Sequence, residues 1–142
     1  MKKVFLTLGI SLSLFIFLTL LHSCKEEGYA MINIKGSVTD TEGKFIDSLL
    51  ITIQNKQTKA IDAFRVSHIH QNFDRVYTLE KAGNCDFIIT VEDIDGERNG
   101  GYFKEQTKTI SVSENEYTTR NDLMVIHPYA SKEVGFILEK IY

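Results

Sequence analysis

Residues 31–38, Met-Ile-Asn-Ile-Lys-Gly-Ser-Val, decide the fold class of this chain. Ile32, Ile34 and Val38 fall on one side of the segment and polar residues on the other, because successive side chains of a strand point to opposite faces. A polar turn, Thr-Asp-Thr-Glu-Gly-Lys, follows at 39–44, with Gly43 where a positive φ angle is tolerated. The segment therefore reads as a half-buried strand that ends in a turn.

Further segments along the chain alternate in the same way and are rich in β-branched residues. We expect strands at Ser48–Gln54, Val76–Leu79, Phe87–Val91, Thr107–Ser113, Asp122–His127 and Val134–Ile141. The residues predicted to face the core of two of them are Leu49, Ile51, Ile53, Phe87, Ile89 and Val91. Several short strands separated by turn residues predict an all-β sandwich.

Two places in this pattern are less regular. Residues 55–75 follow neither the helical nor the strand period, so an irregular connection and a strand with a loop both remain open. Pro128 lacks the N–H group that a ladder needs, and we expect it to end a strand.

The N-terminus has the layout of a secretion signal. Lys2 and Lys3 precede the uncharged run Val4–Leu21, which leads into Leu-His-Ser-Cys at 21–24. This order resembles the lipobox of bacterial lipoproteins, whose signal is removed and whose cysteine carries acyl chains such as palmitate. The resemblance implies a signal helix within a signal peptide at 1–23, lipidation of Cys24, a tether at 24–30 and a folded domain at 31–142. An uncleaved transmembrane anchor is the alternative, since the run is close to the roughly 18 residues that span a bilayer.

The residues after Cys24 indicate where in the cell the protein is located. Lys25-Glu26-Glu27 is similar to the surface-export signal of Bacteroidetes lipoproteins, a lysine followed by acidic residues. The resemblance implies an outer-membrane lipoprotein exposed at the cell surface, with a periplasm-facing protein as the alternative. The membrane is then a partner through the lipid anchor, because more than one acyl chain gives stable attachment.

The net charge and the cysteine content exclude one class of partner and one kind of cross-link. Removal of residues 1–23 takes away Lys2 and Lys3 and no acidic residue, so the formal net charge falls from −3 to −5. An acidic chain argues against nucleic acid as a partner. Cys85 is the one cysteine besides Cys24, so an internal disulfide of the mature chain is excluded, and we expect Cys85 to be a small buried residue. The remaining length suits one domain.

Two segments of the mature chain carry a family resemblance. The opening Gly-Ser-Val-Thr-Asp-Thr-Glu-Gly-Lys at 36–44 resembles carboxypeptidase-regulatory-like domains, which are transthyretin-type Greek-key β-sandwiches. The run Asp-Ile-Asp-Gly-Glu-Arg-Asn-Gly-Gly-Tyr-Phe at 93–103 is similar to the small radical-SAM-associated lipoproteins of Bacteroidetes. The resemblance implies the same sandwich and a possible radical-SAM partner enzyme, and it implies no activity. Phe45-Ile46-Asp47 departs from the family pattern, which has a proline after the first turn.

Two groups of residues suggest metal ligands. Asp93, Asp95 and Asn99 place three oxygen-bearing side chains in a glycine-rich loop, as calcium sites do. The distal Glu of an EF-hand is missing, and Asp-Gly and Asn-Gly are also ordinary turn residues, so we prefer a structured loop over a calcium site. We therefore expect no cofactor, with calcium at this loop as the alternative.

His68 and His70 would share one face of a strand, which suits zinc or another transition metal if a third ligand is present. Asp74 and His127 are the candidates for that ligand. Exposed histidine pairs are common, so we do not favour this site.

The sequence shows no nucleophilic triad, phosphate loop or catalytic carboxylate pair in a recognisable motif, and we predict a protein that is not an enzyme. The leading hypothesis is a binding or structural module at the cell envelope, with an envelope protein or a glycan as its partner, since exposed aromatic residues can form such a surface. The second is a substrate or accessory partner of a radical-SAM maturation enzyme. The third is a hydrolase or metal enzyme built on His68, His70 and Asp74.

Overall fold

The computed structural model describes residues 29–67, 72–98, 100–122 and 125–141. These residues form eight β-strands and one short 3₁₀ helix, Glu114–Glu116. The strands are β1 (Ala30–Asp40), β2 (Leu49–Asn55), β3 (Ile61–Val66), β4 (Asn72–Leu79), β5 (Cys85–Asp93), β6 (Gln106–Val112), β7 (Thr118–Asp122) and β8 (Val125–Leu138). None of the residues described forms a helix that is long and apolar enough to cross a membrane. The predicted signal helix at 1–23 lies outside the described residues.

The strands form two four-stranded sheets. Sheet A has the order β4-β1-β8-β7, and sheet B has the order β3-β2-β5-β6. All neighbouring strands are antiparallel except β1 and β8, which run parallel from Met31 opposite Tyr129 to Asp40 opposite Leu138. This architecture confirms the predicted all-β sandwich of Greek-key, transthyretin-like type.

Alternating apolar residues of both sheets fill the space between them. Ile32 and Ile34 of β1 are fully buried, as predicted, and Val38 is nearly so. The six inward residues predicted on β2 and β5 are also buried: Leu49, Ile51, Ile53, Phe87, Ile89 and Val91. Strand β8 of sheet A contributes Ala130, Phe136 and Leu138 to the core. Removal of this apolar surface from water is the main stabilising term of the domain.

Gly36 is an inward position of β1 that carries no side chain. Phe73 lies directly opposite on β4, is 4% exposed, and packs its ring over the glycine. A Cβ atom at Gly36 would lie 2.0 Å from Cζ of Phe73, far inside van der Waals contact. The Phe73 ring therefore fills the core space that a side chain at position 36 would occupy. Because the ring lies there, position 36 has to be glycine.

The edge strands β3 and β4 are joined across the sandwich by side chains. The Tyr77 hydroxyl of β4 donates a 2.9 Å hydrogen bond to Oδ2 of Asp62 on β3. The Arg75 guanidinium lies 4.0 Å from the centre of the Phe64 ring, and its Nε is 3.6 Å from the same Asp62 oxygen. These contacts close one side of the sandwich.

The opposite side is closed by β6 and the end of β8. Lys108 of β6 donates a 2.6 Å hydrogen bond from Nζ to the carbonyl of Gly135, and its ammonium lies 5.2 Å from the centre of the Phe136 ring. Past β8, Phe103 pairs with Lys140 in an antiparallel bridge. An inward-pointing lysine on an edge strand also discourages pairing with another chain.

One open choice about the elements is decided, and two predicted strands are corrected. Residues 55–75 include the strand β3 and the first half of β4, so of the two alternatives the structure favours strand over an irregular connection. The predicted strands at Asp122–His127 and Val134–Ile141 are replaced by β7 and one long strand, β8. The polar residues in the middle of β8 hid its continuity, because its outer face is exposed and the inward Lys132 reaches Glu116 instead of the core.

Pro128 does not end a strand but lies within β8. It pairs with Thr119 of β7, and the ladder between β8 and β1 begins one residue later, at Tyr129. Pro128 thus occupies a part of β8 that lies just outside the β1 ladder, where a missing N–H group can be tolerated.

The chain direction gives the sandwich two distinct ends. Ala30 begins β1 opposite Leu79, and we call this the entry end because the chain arrives there. Asp40, Leu49 and Asp93 lie at the other, far end, where the turn after β1 and the loop after β5 are found. Gly43 in that turn has φ 79°, as its predicted role requires.

We predict that Gly36→Ala lowers the free energy of unfolding by about 1–3 kcal/mol, since the added methyl group displaces the buried Phe73 ring. Urea unfolding followed by circular dichroism measures this change. Gly135→Ala is the matched control, because the nearest heavy atom to its new Cβ would be Oγ of Ser37 at 4.0 Å. The control should be neutral or stabilising by up to about 1 kcal/mol. Equal losses for the two variants would contradict the proposed packing.

Candidate functional site

Asp93 organises the loop that follows β5. Its side chain is buried, and its two oxygens accept backbone hydrogen bonds, Oδ1 from the Asp95 N–H at 3.2 Å and Oδ2 from the Phe103 N–H at 3.0 Å. The carboxylate therefore ties the start of the loop to its end, as a structured turn does. Asn99, the third residue of the predicted calcium site, lies outside the described residues, and calcium binding by this loop stays a prediction.

The predicted transition-metal ligands His68 and His70, and the predicted lipidation site Cys24, also lie outside the described residues. The two candidates for a third ligand are far apart. Asp74 pairs with Lys35, whereas His127 lies two residues before Tyr129, the partner of Met31. About six residues of strand, roughly 20 Å, separate them. In the ranges that the structure describes, no group of three His, Cys, Asp or Glu side chains could hold a metal ion.

Cys85 is a buried free thiol, as predicted. Its Sγ lies 3.8 Å from the Tyr117 hydroxyl, which donates a 3.1 Å hydrogen bond to the Gly83 carbonyl. Burial raises the pKa of the Cys85 thiol, which keeps it protonated and poorly nucleophilic. The same cause raises the pKa of Tyr117 to about 12. This pair serves the packing of the sandwich rather than thiol chemistry.

A concave region lies on the outer face of sheet A, where three strands carry small side chains at one rung. Ser37 of β1 stands between Asn72 of β4 and Gly135 of β8. We call these three residues the floor row and the depression above them the trough. It has a volume of about 500 Å³, and Gly36, Phe73 and Val134 also line it.

A row of charged residues stands beside the floor row toward the entry end. Lys35 pairs with Asp74 on one side and with Glu133 on the other. We call Asp74, Lys35 and Glu133 the charged row. Nζ of Lys35 is 4.0 Å from Oδ2 of Asp74, and both side chains are about half exposed. A pair this wide and this exposed is weak, so the charged groups are available to a ligand.

A row of less polar residues stands beside the floor row toward the far end. Thr39 pairs with Phe45 through an isolated antiparallel bridge and with Ile137 through the β1–β8 ladder. We call these three residues the apolar row. Phe45 is 45% exposed and Ile137 is 59% exposed. Since residues two apart on a strand are about 7 Å apart, the apolar row lies beside the floor row but outside the residues that line the trough.

A second concave region opens between the sheets at the entry end and has a volume of about 670 Å³. Its polar groups already serve the fold. Asn55 accepts hydrogen bonds from the backbone of Gln57 and Thr58, Asn84 accepts one from Glu114, and Asp62 is held by Tyr77. We therefore regard the trough, whose polar groups are less engaged, as the candidate functional site.

The trough was not predicted from the sequence, although one signal for it is present. Gly135 interrupts an otherwise strand-forming segment, and a glycine inside a strand often marks a place where something approaches the backbone closely. The other contributions come from residues with no relation in sequence, and only the pairing of β4, β1 and β8 brings them together.

We predict that Asp93→Asn lowers the free energy of unfolding by about 1–3 kcal/mol, because an amide has one acceptor oxygen where the structure uses two. Thermal unfolding of the variant measures the loss, and Glu97→Gln, an exposed acidic position of the same loop, is the control. A backbone role predicts the same loss in calcium and in chelator. Stabilisation of the unsubstituted protein by calcium alone would instead show a metal site.

The raised pKa of Tyr117 predicts how the free energy of unfolding changes at alkaline pH. Since its pKa is raised to about 12 in the folded chain, the folded state holds this proton more tightly than the unfolded state does. The resulting stability is complete below about pH 10 and is lost as the pH rises toward 12. Tyr117→Phe should therefore flatten the alkaline fall in unfolding free energy, measured by urea titrations at several pH values. Tyr102→Phe, at an exposed position, should leave the fall unchanged.

Comparisons with known proteins support the fold alone. No family model matches the sequence, and no curated protein matches it. The catechol 1,2-dioxygenase of Acinetobacter radioresistens is similar in structure, with a TM-score of 0.50 and 10% identity over 79% of this chain and 52% of that chain. The 3-chlorocatechol 1,2-dioxygenase of Rhodococcus opacus 1CP gives a TM-score of 0.51 and 10% identity over 82% of this chain and 62% of that chain. This chain is thus similar to the β-sandwich part of these enzymes, and it spans about half to two thirds of their length.

Proposed function

We propose that this chain is a membrane-anchored envelope lipoprotein whose sandwich is a non-enzymatic binding module, with the trough as its binding surface. The observation that carries the proposal is the trough itself, a depression lined by the floor row and the charged row, with the exposed apolar row beside it. A concave surface with both apolar contact area and a few convergent polar groups is the usual form of a ligand site. The anchor on Cys24 rests on the lipobox resemblance.

The position of the trough agrees with attachment at the N-terminus. The chain enters at Ala30, and Lys35 and Ser37 lie five and seven residues further along β1. At about 3.3 Å per residue, the trough is roughly 17–23 Å from the point of entry. A tether that ends at the entry end therefore leaves this face of sheet A accessible to molecules beside or above the membrane.

The trough presents recognition groups rather than a nucleophile. Lys35 separates the carboxylates of Asp74 and Glu133, and all three side chains lie on an open sheet face. Charges in such a place are well hydrated, which suits reversible binding and direct hydrogen bonds to a ligand. For these reasons we propose a binding protein and not an enzyme.

Two measurements test this proposal. The intact mass of the protein purified from its host should match a chain that begins at Cys24 and carries acyl groups, whereas a mass that begins at Met1 would overturn the anchor. An added mass on an internal residue would support the alternative, a substrate of a radical-SAM enzyme.

Binding through the trough is tested with Gly135→Val, which fills the floor row with a β-branched side chain that strands favour. Ser131→Val is the matched control, since Ser131 is an exposed outer residue of the same strand opposite Asn33, outside the trough. We expect envelope material from the host to be retained by the unsubstituted protein and by Ser131→Val, but not by Gly135→Val. Equal retention by all three proteins would overturn the trough as the binding surface.

A further inference from the structure

We propose that strand β8 accepts an extended segment of a partner protein along its free edge, and that Lys108 selects a segment that carries a carboxylate. This inference goes beyond the proposed function, since it uses the edge of the sheet and not the trough on its outer face. Two features carry it: a row of unpaired main-chain groups of defined length, and a lysine that holds one of these groups.

The edge of β8 that faces away from β1 is open over part of its length. On this side β7 pairs with residues 125–129 of β8, and the chain after β8 pairs again through the bridge between Phe103 and Lys140. Among the described strands, none pairs with residues 131–137 on this side. We call this stretch the gap, and at about 3.3 Å per residue it is roughly 23 Å long.

The main chain of β8 points into the gap at every second residue. Nζ of Lys108 on β6 donates a 2.6 Å hydrogen bond to the carbonyl of Gly135, so this carbonyl points away from β1. Since a strand residue directs its N–H and C=O groups to the same side, the N–H of Gly135 also faces the gap, as do the main-chain groups of Glu133 and Ile137. All three residues are exposed. Such a row recognises another extended main chain, because the two can form a ladder.

Lys108 decides which extended segment fits the gap. Its ammonium lies on the inner side of the gap, 5.2 Å from the centre of the Phe136 ring, and it forms no ion pair with any residue that the structure describes. A strand added to β8 takes over the carbonyl of Gly135, which leaves the ammonium without this acceptor. A carboxylate on the inner face of the added strand replaces the acceptor, and opposite charges on neighbouring strands attract.

The same lysine argues against a second copy of this chain as the occupant of the gap. A copy that paired along residues 131–137 would bring its own Lys108 to the same side of the ladder, and like charges on facing strands repel each other. The inner face of that segment would offer Lys132, Val134 and Phe136, none of which has a carboxylate. A partner segment with an acidic residue on its inner face therefore fits the gap better than a copy of β8 does.

The test is fluorescence anisotropy with the full-length protein in detergent and fluorescein-labelled peptides whose ends are blocked. The probe is Thr-Val-Thr-Asp-Thr-Val-Thr, in which the aspartate shares one face of the extended chain with the valines. Two matched peptides carry Asn or Lys in place of this aspartate. We expect the Asp peptide to bind with a Kd of about 1 mM or tighter, the Asn peptide to bind about fivefold more weakly and the Lys peptide more weakly still. Lys108→Gln should bind the Asp and Asn peptides equally.

Two substitutions at one position separate the edge of β8 from the trough. Gly135→Pro removes the N–H that faces the gap and should abolish peptide binding, whereas the β1 ladder on the other side of β8 keeps its hydrogen bonds. Gly135→Val fills the trough but keeps the N–H, so it should bind the peptide as the unsubstituted protein does. Peptide binding that Gly135→Val leaves unchanged supports the edge, whether or not envelope material is retained through the trough.

Three results with the peptides would overturn the inference: no change in anisotropy with the Asp peptide, binding that Gly135→Pro leaves intact, or equal affinities for the Asp and Lys peptides. A dimer of the unsubstituted protein that Gly135→Pro converts to a monomer, measured by size-exclusion chromatography with light scattering, would also overturn it, because the edge would then serve a second copy. The melting temperature of each variant shows whether it folds. Since Lys108 is exposed, the charge preference can be tested without the proline.

Discussion

The parallel ladder between β1 and β8 is the interaction on which the rest of this structure depends. It joins the first and last strands of the domain at the centre of sheet A, from Met31 opposite Tyr129 to Asp40 opposite Leu138. Nearly the whole domain is the connection between these two strands, and the entropy of closing so long a loop is recovered only when the core packs. The trough exists only once this ladder forms, since β1 and β8 each supply part of its floor.

The two faces of sheet A are linked through the same rung. On the inner face, Gly36 lets the Phe73 ring pack against β1, which fills the core at the far half of the sheet. On the outer face, the next residue, Ser37, lies in the floor row opposite Gly135. Gly36 thus permits close packing on the inner face, and the small residues Ser37 and Gly135 leave the trough open on the outer face. The lateral contacts of Lys108 and of the Tyr77–Asp62 pair then close the sandwich without covering this outer face.

Segments with regular apolar alternation were predictable from the sequence. Segments in which a polar residue points inward and is paired with a residue distant in the chain were not. The alternation at Ile32, Ile34 and Val38 and at Phe87, Ile89 and Val91 is a local property, and the structure buries these residues as expected. The prediction assigns the two ends of β8 to separate strands and leaves residues 128–133 out, because Lys132 occupies an inward position and is paired with Glu116, which is close only in the folded chain. At the Asp93 loop the folded chain adds that the carboxylate accepts hydrogen bonds from the loop's own backbone, and calcium binding there stays a prediction.

The strand-forming segments, the side chains that face the core and the turn at Gly43 could be read from the sequence, because they follow from neighbours within a few residues. Which strands lie side by side, and in what register, depends on contacts between residues that are distant in the chain. That pairing places Lys35, Asp74 and Glu133 in one row and exposes Phe45 and Ile137 in another. The physical reason is that ladder pairing is non-local: a shift of one residue in any strand would send these side chains to the opposite face.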